Sequence, residues 1–156
     1  MPVKSAGLLL YRRTEGRLEV LLIHPGGPFW SRKDEGAWSI PKGEFGADEE
    51  PLSAALREFE EEVGIRVEGP ATPLTPRRQR SGKLVFAWAM EGDVDLSAFR
   101  SNTFSLEWPS GSGRVREYPE ADRAAWFDLA TARRKILPGQ AGFLDDLERM
   151  LETGGR

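Results

Sequence analysis

Cysteine is absent from the 156 residues, and histidine occurs once, at His24. The first absence removes disulfide frameworks, thiolate metal sites and cysteine nucleophiles together. The second argues against a histidine-rich metal centre and against a serine–histidine triad. No apolar run approaches the roughly 18 residues a membrane span requires. The short run at residues 8–10 meets Arg12 and Arg13 too soon for a signal peptide. The expected compartment is therefore the cytoplasm, with no membrane partner. Neither sign of charge dominates: 22 basic against 25 acidic residues leave a net −3, which exerts no global pull toward nucleic acid.

What is present suits one folded unit. A chain of 156 residues buries roughly 68–70% of its unfolded surface, enough for a core without staples. No repeat or linker divides it, and a single domain over residues 1–156 is expected. Residues 6–11 and 18–24 are near-continuous apolar runs, which predicts strands covered on both faces, joined by a turn at 14–17. Residues 25–36, rich in glycine and proline, read as loop, and residues 37–40 as a short strand stopped by Pro41. A helix is predicted over residues 51–63, with Pro51 at its first position and Gly64 as its stop. Further strands are expected at 84–90, 103–108 and 125–129, and helices from about 131 and 140; residues 92–119 otherwise read as an extended surface connection.

The helix at 51–63 has two distinct faces. Leu52, Ala55, Leu56, Phe59 and Val63 recur at spacings of three and four and mark its core face. Opposite them, Glu58, Glu61 and Glu62 stand at i, i+3 and i+4, so their carboxylates share one patch. Like charges at these spacings cost on the order of 0.2–0.5 kcal/mol per pair. From Glu44 to Glu62 there are eight acidic residues and one arginine, Arg57, where a merely solvated face would interleave lysines. Clustered carboxylates of this kind suit a hard divalent cation.

The full spacing is more specific. Gly43, Glu49, Arg57, Glu58, Phe59, Glu61, Glu62, Gly64 and Ile65 occupy all nine defined positions of a 23-residue signature. In this the chain resembles the Nudix hydrolases, and in particular their MutT-like branch. The resemblance implies an α/β fold, an α/β/α sandwich with a mixed β-sheet between helices, with the box at residues 43–65. It implies Mg²⁺ as cofactor, with Mn²⁺ as a substitute, and a small-molecule nucleotide substrate rather than a nucleic acid.

By the same resemblance Glu58, Glu61 and Glu62 are metal ligands, joined by the Lys42 carbonyl and by Glu120, which lies six residues before Trp126. Glu107 and Glu117 are alternatives to Glu120 in the same connection. Gly43 and Glu49 support the shell, and Arg57 holds the glutamates in place. Water attacks phosphorus, with Glu61 as first candidate for its base and Glu120 as second.

Substrate contacts are expected from several places. Arg77, Arg78, Arg80 and Lys83 crowd four positive charges into seven residues, a candidate phosphate clamp. Arg32, Lys33 and Lys42 form a second basic group. Phe29, Trp30, Trp108 and Tyr118 fall on predicted loops and are candidates for stacking on a base, whereas Trp38, Trp88 and Trp126 fall on strands and are expected in the core. His24, closing a strand before Pro25, reads as structural.

Residues 38–43 resemble the entry to the box in the diadenosine polyphosphate hydrolases, and residues 137–147 a bacterial group of predicted NTP pyrophosphohydrolases. The dinucleoside branch places a tyrosine 16 to 18 residues after the box, where this chain has Ser81, Gly82 and Lys83. Nucleoside or dinucleoside polyphosphates lead, with sanitising of damaged nucleoside triphosphates as the alternative. The non-enzyme alternative is a Nudix-fold nucleotide sensor. The sequence leaves open which base is accepted, which phosphate is attacked, how many metals bind, and whether the chain forms a homodimer.

Overall fold

The computed structural model describes residues 4–154; residues 1–3 and 155–156 of the expected domain lie outside the described residues. Two long strands, β1 (Lys4–Thr14) and β2 (Arg17–Pro25), form the predicted hairpin. They are followed by β3 (Lys42–Glu44), α1 (Pro51–Val63), β4 (Ala71–Pro73), β5 (Arg77–Arg78) and β6 (Leu84–Glu91). A second hairpin, β7 (Thr103–Glu107) and β8 (Val115–Pro119), precedes β9 (Ala121–Asp128), α2 (Leu129–Lys135) and α3 (Ala141–Gly154).

The principal sheet runs β4-β6-β1-β2-β9, with β3 paired to β1 and β5 to β6. It is mixed, because β1 and β6 are parallel and the other pairs antiparallel. Strand alternation sorts its apolar residues onto two buried faces. Leu8, Leu10, Leu21, Ile23 and Met90 meet Phe59 and Val63 of α1. Leu9, Tyr11, Val20, Leu22, Val85, Ala87 and Ala89 meet Ala132 of α2 and Phe143, Leu144 and Leu147 of α3. Helices thus cover both faces, which is why the first two strands read as unbroken apolar runs. Trp38 is buried, and Trp88 and Trp126 are half-buried against the core. Among the described residues no helix is long and apolar enough to cross a membrane.

The structure differs from the sequence expectation in several places. Residues 37–40 are not a strand. Ser39 exchanges backbone bonds with Ile23, Trp38 with Lys135 and Leu137, and the Ile40 N–H donates to the side chain of Gln140, so no single ladder forms. The chain instead pairs after Pro41, as β3. Between α1 and β6, where no strand is expected and Pro70, Pro73 and Pro76 recur, lies β4, which tolerates Pro73 because it pairs on one side only, with β6. The 92–119 connection is not one strand but the β7–β8 hairpin, a separate two-stranded sheet, and β9 begins four residues earlier than expected.

Gly64 ends α1 in the left-handed region at φ 82°, and its N–H donates to the Glu60 carbonyl at 2.8 Å. The following chain returns at once. Arg100 N–H donates to Val63 and Asn102 N–H to Glu61, at 2.8 and 2.9 Å, fastening the segment before β7 to the last turn of α1.

Candidate active site

Three elements converge at one end of the sheet: β3, the second half of α1, and the residue that precedes β9. The polar face of α1 is organised by Arg57. Its Nε and Nη2 donate to the two oxygens of Glu49 at 2.7 and 2.9 Å, a bidentate pair, while Nη1 donates to Glu58 at 2.8 Å and to Glu61 at 2.9 Å. One guanidinium therefore bridges three carboxylates, and these bonds hold Arg57 in its charged form while drawing Glu49 below its ordinary pKa.

Glu58, Glu62 and Glu120 form a tighter group, with one carboxylate oxygen of each within 4.8 Å of the others. Glu61 is not one of these three and, like Glu58, is held by Arg57. Burial raises the Glu58 carboxyl, reinforced by the charge of Glu61. Burial likewise raises Glu120, with Glu61 adding to it. Glu62 is pushed furthest, to about 8, chiefly by burial, and the Lys42 N–H that donates to its Oε1 at 3.0 Å only partly offsets this. Lys42 thus enters the group through its backbone N–H; burial and the charge of Lys83 lower its own ammonium pKa. The arrangement is a set of hard oxygen donors whose charges repel, the electrostatic setting in which a divalent cation is held.

Gly43 is required by space rather than by backbone conformation. A Cβ built there would lie 2.0 Å from Cδ and Oε1 of Glu58. A methyl group at this position must push the carboxylate out of the cluster while leaving a short edge strand otherwise intact. Gly43→Ala is therefore expected to keep the melting temperature near that of the wild type and to weaken divalent-cation binding by about 10–100-fold, the scale of disturbing a ligand's support. Calorimetric titration with Mn²⁺ beside a thermal melt checks both halves.

Glu120 is positioned from both sides. Its N–H donates to the Asn102 carbonyl at 2.8 Å, and its own carbonyl accepts from Gly26 N–H at 3.0 Å. Glu107 and Glu117 stand elsewhere: Glu107 accepts from the N–H groups of Gly111 and Gly113 at the hairpin tip, and Glu117 from Thr103 Oγ1. The role of residues 100–102 in placing Glu120 had no signal in the sequence, since it consists of backbone bonds between segments far apart in the chain.

The basic run at 77–83 is divided by the structure. Arg77 turns away from the carboxylates, pairs with Asp146 of α3 at 3.0 Å and lies against Gly142, where a Cβ would sit 2.2 Å from its Cζ. It secures α3 to the sheet and is not free for a phosphate. Arg78 donates to the Gly82 carbonyl at 2.9 Å, Arg80 is exposed, and Lys83 pairs with Glu44 of β3 at 3.3 Å. Arg32 and Lys33 lie on the loop after β2, Lys33 with its ammonium 5.1 Å from the Trp30 ring centroid. Tyr118 lies on β8 beside Phe104, their rings 6.0 Å apart. His24 is fully buried, with Nδ1 2.8 Å from Asp122 Oδ1 and Nε2 2.6 Å from the Lys33 carbonyl oxygen; it ties this loop to β9.

The family model described as the NUDIX domain matches residues 1–147. The asymmetrical bis(5'-nucleosyl)-tetraphosphatase of Caenorhabditis elegans is 38% identical over 68 residues, 44% of this chain and 45% of that protein. The RNA pyrophosphohydrolase of Rhodospirillum rubrum is 41% identical over 68 residues, 42% of this chain and 39% of that protein. The matched stretch thus spans less than half the length of these curated relatives. Among solved structures, a binary complex of the C. elegans Ap4A hydrolase superposes with a TM-score of 0.64 at 24% identity, covering 97% of this chain and 98% of that one. At that identity the likeness concerns the fold, an α/β/α sandwich around a mixed sheet.

Proposed function

The chain belongs to the NUDIX domain family, and on that premise we propose that it is a Mg²⁺-dependent pyrophosphohydrolase acting on a nucleoside or dinucleoside polyphosphate. The observation that carries this reading is the meeting of Glu58, Glu62 and Glu120, from two separate elements, within 4.8 Å. Three carboxyls that stay raised although Arg57 touches Glu58 and the Lys42 charge offsets part of the rise at Glu62 fit a hard dication. Bound there, Mg²⁺ or Mn²⁺ would neutralise charge on phosphate oxygens and make water more acidic.

The residues of the chain divide the remaining work. Arg57 and Glu49 keep the helix carboxylates in register, and Gly43 leaves room for Glu58. Glu61, more exposed than Glu58 (35% against 10%), takes the proton as water oxygen attacks phosphorus and the phosphoric anhydride bond breaks; Glu120 is the second candidate for that role. Lys42, Arg32, Arg78 and Arg80 anchor phosphate oxygens, and Trp30 and Tyr118 border the path of the nucleoside. The preference for a polyphosphate is supported by the 38% identity to a tetraphosphatase. Retention of every box carboxylate argues against a sensor that binds without cleaving.

A product assay by anion-exchange chromatography on dinucleoside polyphosphates, nucleoside triphosphates, nucleotide sugars and ADP-ribose tests the reading. Turnover of a polyphosphate class, lost on chelation and restored by Mg²⁺, is the expected result. Nucleotide binding with no turnover of any class would overturn it in favour of a sensor.

A further inference from the structure

The loop after β2 carries Trp30 and Arg32, two of the substrate contacts proposed above, and its two ends are firmly tied. At the near end Gly26 N–H donates to the Glu120 carbonyl at 3.0 Å, and a Cβ at Gly26 would lie 1.9 Å from the Pro119 oxygen, so the loop starts on the junction that bears Glu120. At the far end Gly36 N–H donates to the Arg134 carbonyl at 2.9 Å, Glu35 pairs with Arg134, and Asp34 takes both Lys135 and the Trp38 Nε1–H. The middle is held differently. Lys33 N–H donates to the Trp30 carbonyl at 2.9 Å, and Ser31 Oγ to the Pro28 carbonyl at 3.2 Å, bonds that stay inside the loop. Among the described residues, one hydrogen bond leaves the stretch 27–33: the Lys33 carbonyl accepts from Nε2 of His24 at 2.6 Å.

His24 is fully buried, its ring edge-on to Trp38 with centroids 5.2 Å apart. Its other nitrogen, Nδ1, lies 2.8 Å from Oδ1 of Asp122, on β9 two residues beyond Glu120. Both nitrogens therefore face oxygens that only accept, a carboxylate and a backbone carbonyl. A neutral imidazole has one N–H, and its second nitrogen would aim a lone pair at one of these oxygens. The two contacts are hydrogen bonds together only when each nitrogen carries a proton, which gives a buried cation beside its carboxylate partner. Such a group is favourable only while every bond is made, so the ring fixes the carbonyl it donates to.

We infer that His24 is a positioning residue for the substrate, a double donor anchored on Asp122 through Nδ1–H that places the middle of the loop, and with it Trp30 and Arg32, relative to the carboxylate cluster through Nε2–H. This inference rests on the nucleotide reading above and deepens it by naming what sets the substrate loop. The carboxylates themselves do not touch the ring, so His24 acts on binding of the nucleotide and not on the cation.

Two amide variants separate the contacts. Glutamine can bring its amide to the place of Nε2 and donate to the Lys33 carbonyl, whereas asparagine is long enough only for Asp122. Trypsin cleavage after Arg32 and Lys33 reads opening of the loop middle with no ligand present. Calorimetric titration in Mg²⁺ with a methylene-bridged adenosine polyphosphate reads substrate contact, and titration with Mn²⁺ alone reads the cluster. His24→Asn should be cut at these sites about 10-fold faster and bind the nucleotide probe about 10-fold more weakly, the scale of one hydrogen bond to a charged group. Its Mn²⁺ affinity should stay within about 2-fold of the wild type, and His24→Gln should stay within about 3-fold in all three measurements. Because His24 is the chain's only histidine, isotopic labelling of histidine nitrogen reports a single ring by NMR, and the wild type should show a proton on each nitrogen.

Equal losses in the two variants would reduce the ring to a filler of space. Faster cleavage with unchanged affinity for the probe would make it a structural clip, and a ring with one N–H would remove the double donor. Mn²⁺ affinity that falls in step with nucleotide affinity would mean that His24 acts through Glu120. Each of these overturns the proposal, as does a wild type that does not bind the probe. Should His24→Asn fail to fold, the ring spectrum and His24→Gln still decide, since loss of affinity in the glutamine variant overturns it. If the wild type binds the probe and cleaves no nucleotide, the hydrolase reading falls by itself and these comparisons still decide this one.

Discussion

Glu62→Gln is expected to abolish hydrolysis and, in the same protein, to raise the stability of the metal-free fold at alkaline pH. The carboxyl of Glu62 sits at about 8 in the folded chain against an ordinary 4.5. The folded state therefore binds this proton more tightly than the unfolded state. The group's contribution is most favourable below about pH 4.5 and is lost as pH rises through about 8, where a buried carboxylate must form against a desolvation cost that the Lys42 N–H and charge only partly offset. Glutamine cannot ionise, yet its carbonyl can still accept from the Lys42 N–H.

Thermal melts without divalent cation should therefore coincide for the two proteins near pH 5 and separate near pH 9, the variant melting higher by an amount worth a few kcal/mol at most. Mg²⁺ should reverse the order, because the cation favours the ionised wild-type cluster and releases its protons on binding. Activity should fall by at least about 100-fold, more than is lost when only a ligand's support is removed. Equal melts at pH 9 would show that Glu62 carries no such burden, and turnover near the wild-type rate would remove it from the site.

That trade explains why some of this protein was legible before its structure and some was not. Repulsion among Glu58, Glu61 and Glu62 is written in the helical spacing, and Pro51 and Gly64 mark the ends of α1 by their backbone preferences, so helix and acidic face could be read together. Glu120 was reachable only through its distance from Trp126, a matter of resemblance. Nothing local identifies it, because its position depends on the carbonyl of Asn102 and the N–H of Gly26. Residues 71–73 carry Pro73 and gave no strand signal, yet an edge strand accommodates it, and at residues 37–40 the apolar run does not become a strand because its backbone bonds are shared among β2, the end of α2 and the residues after it, and Gln140. Arg77 shows the limit of charge patterns: one arginine in a basic run serves the core by pairing with Asp146, and only the partner, 69 residues away, reveals it.

Arg57→Lys is expected to behave far worse than its preserved charge suggests. Lysine could neutralise one carboxylate, but the observed arrangement uses three nitrogens in a fixed plane: two on Glu49 and the third shared between Glu58 and Glu61. An ammonium lacks the planar fork that makes the bidentate bond and cannot reach all three carboxylates from one position. The freed Glu58 and Glu61 then repel each other and Glu120, and the oxygens at the cluster lose their common orientation. Activity should fall about 10–100-fold, the scale of losing an outer partner of a metal ligand. Because Arg57 acts through the carboxylates, the loss should take a particular form. The Mg²⁺ concentration giving half-maximal rate should rise, KM for the nucleotide at saturating Mg²⁺ should stay close to wild type, and part of kcat should return as the cation is increased. Arg57→Ala should show the same pattern more severely. If lysine instead restores full activity at ordinary Mg²⁺, the site needs only a nearby positive charge, and the four-bond geometry around Arg57 is not what orders its carboxylates.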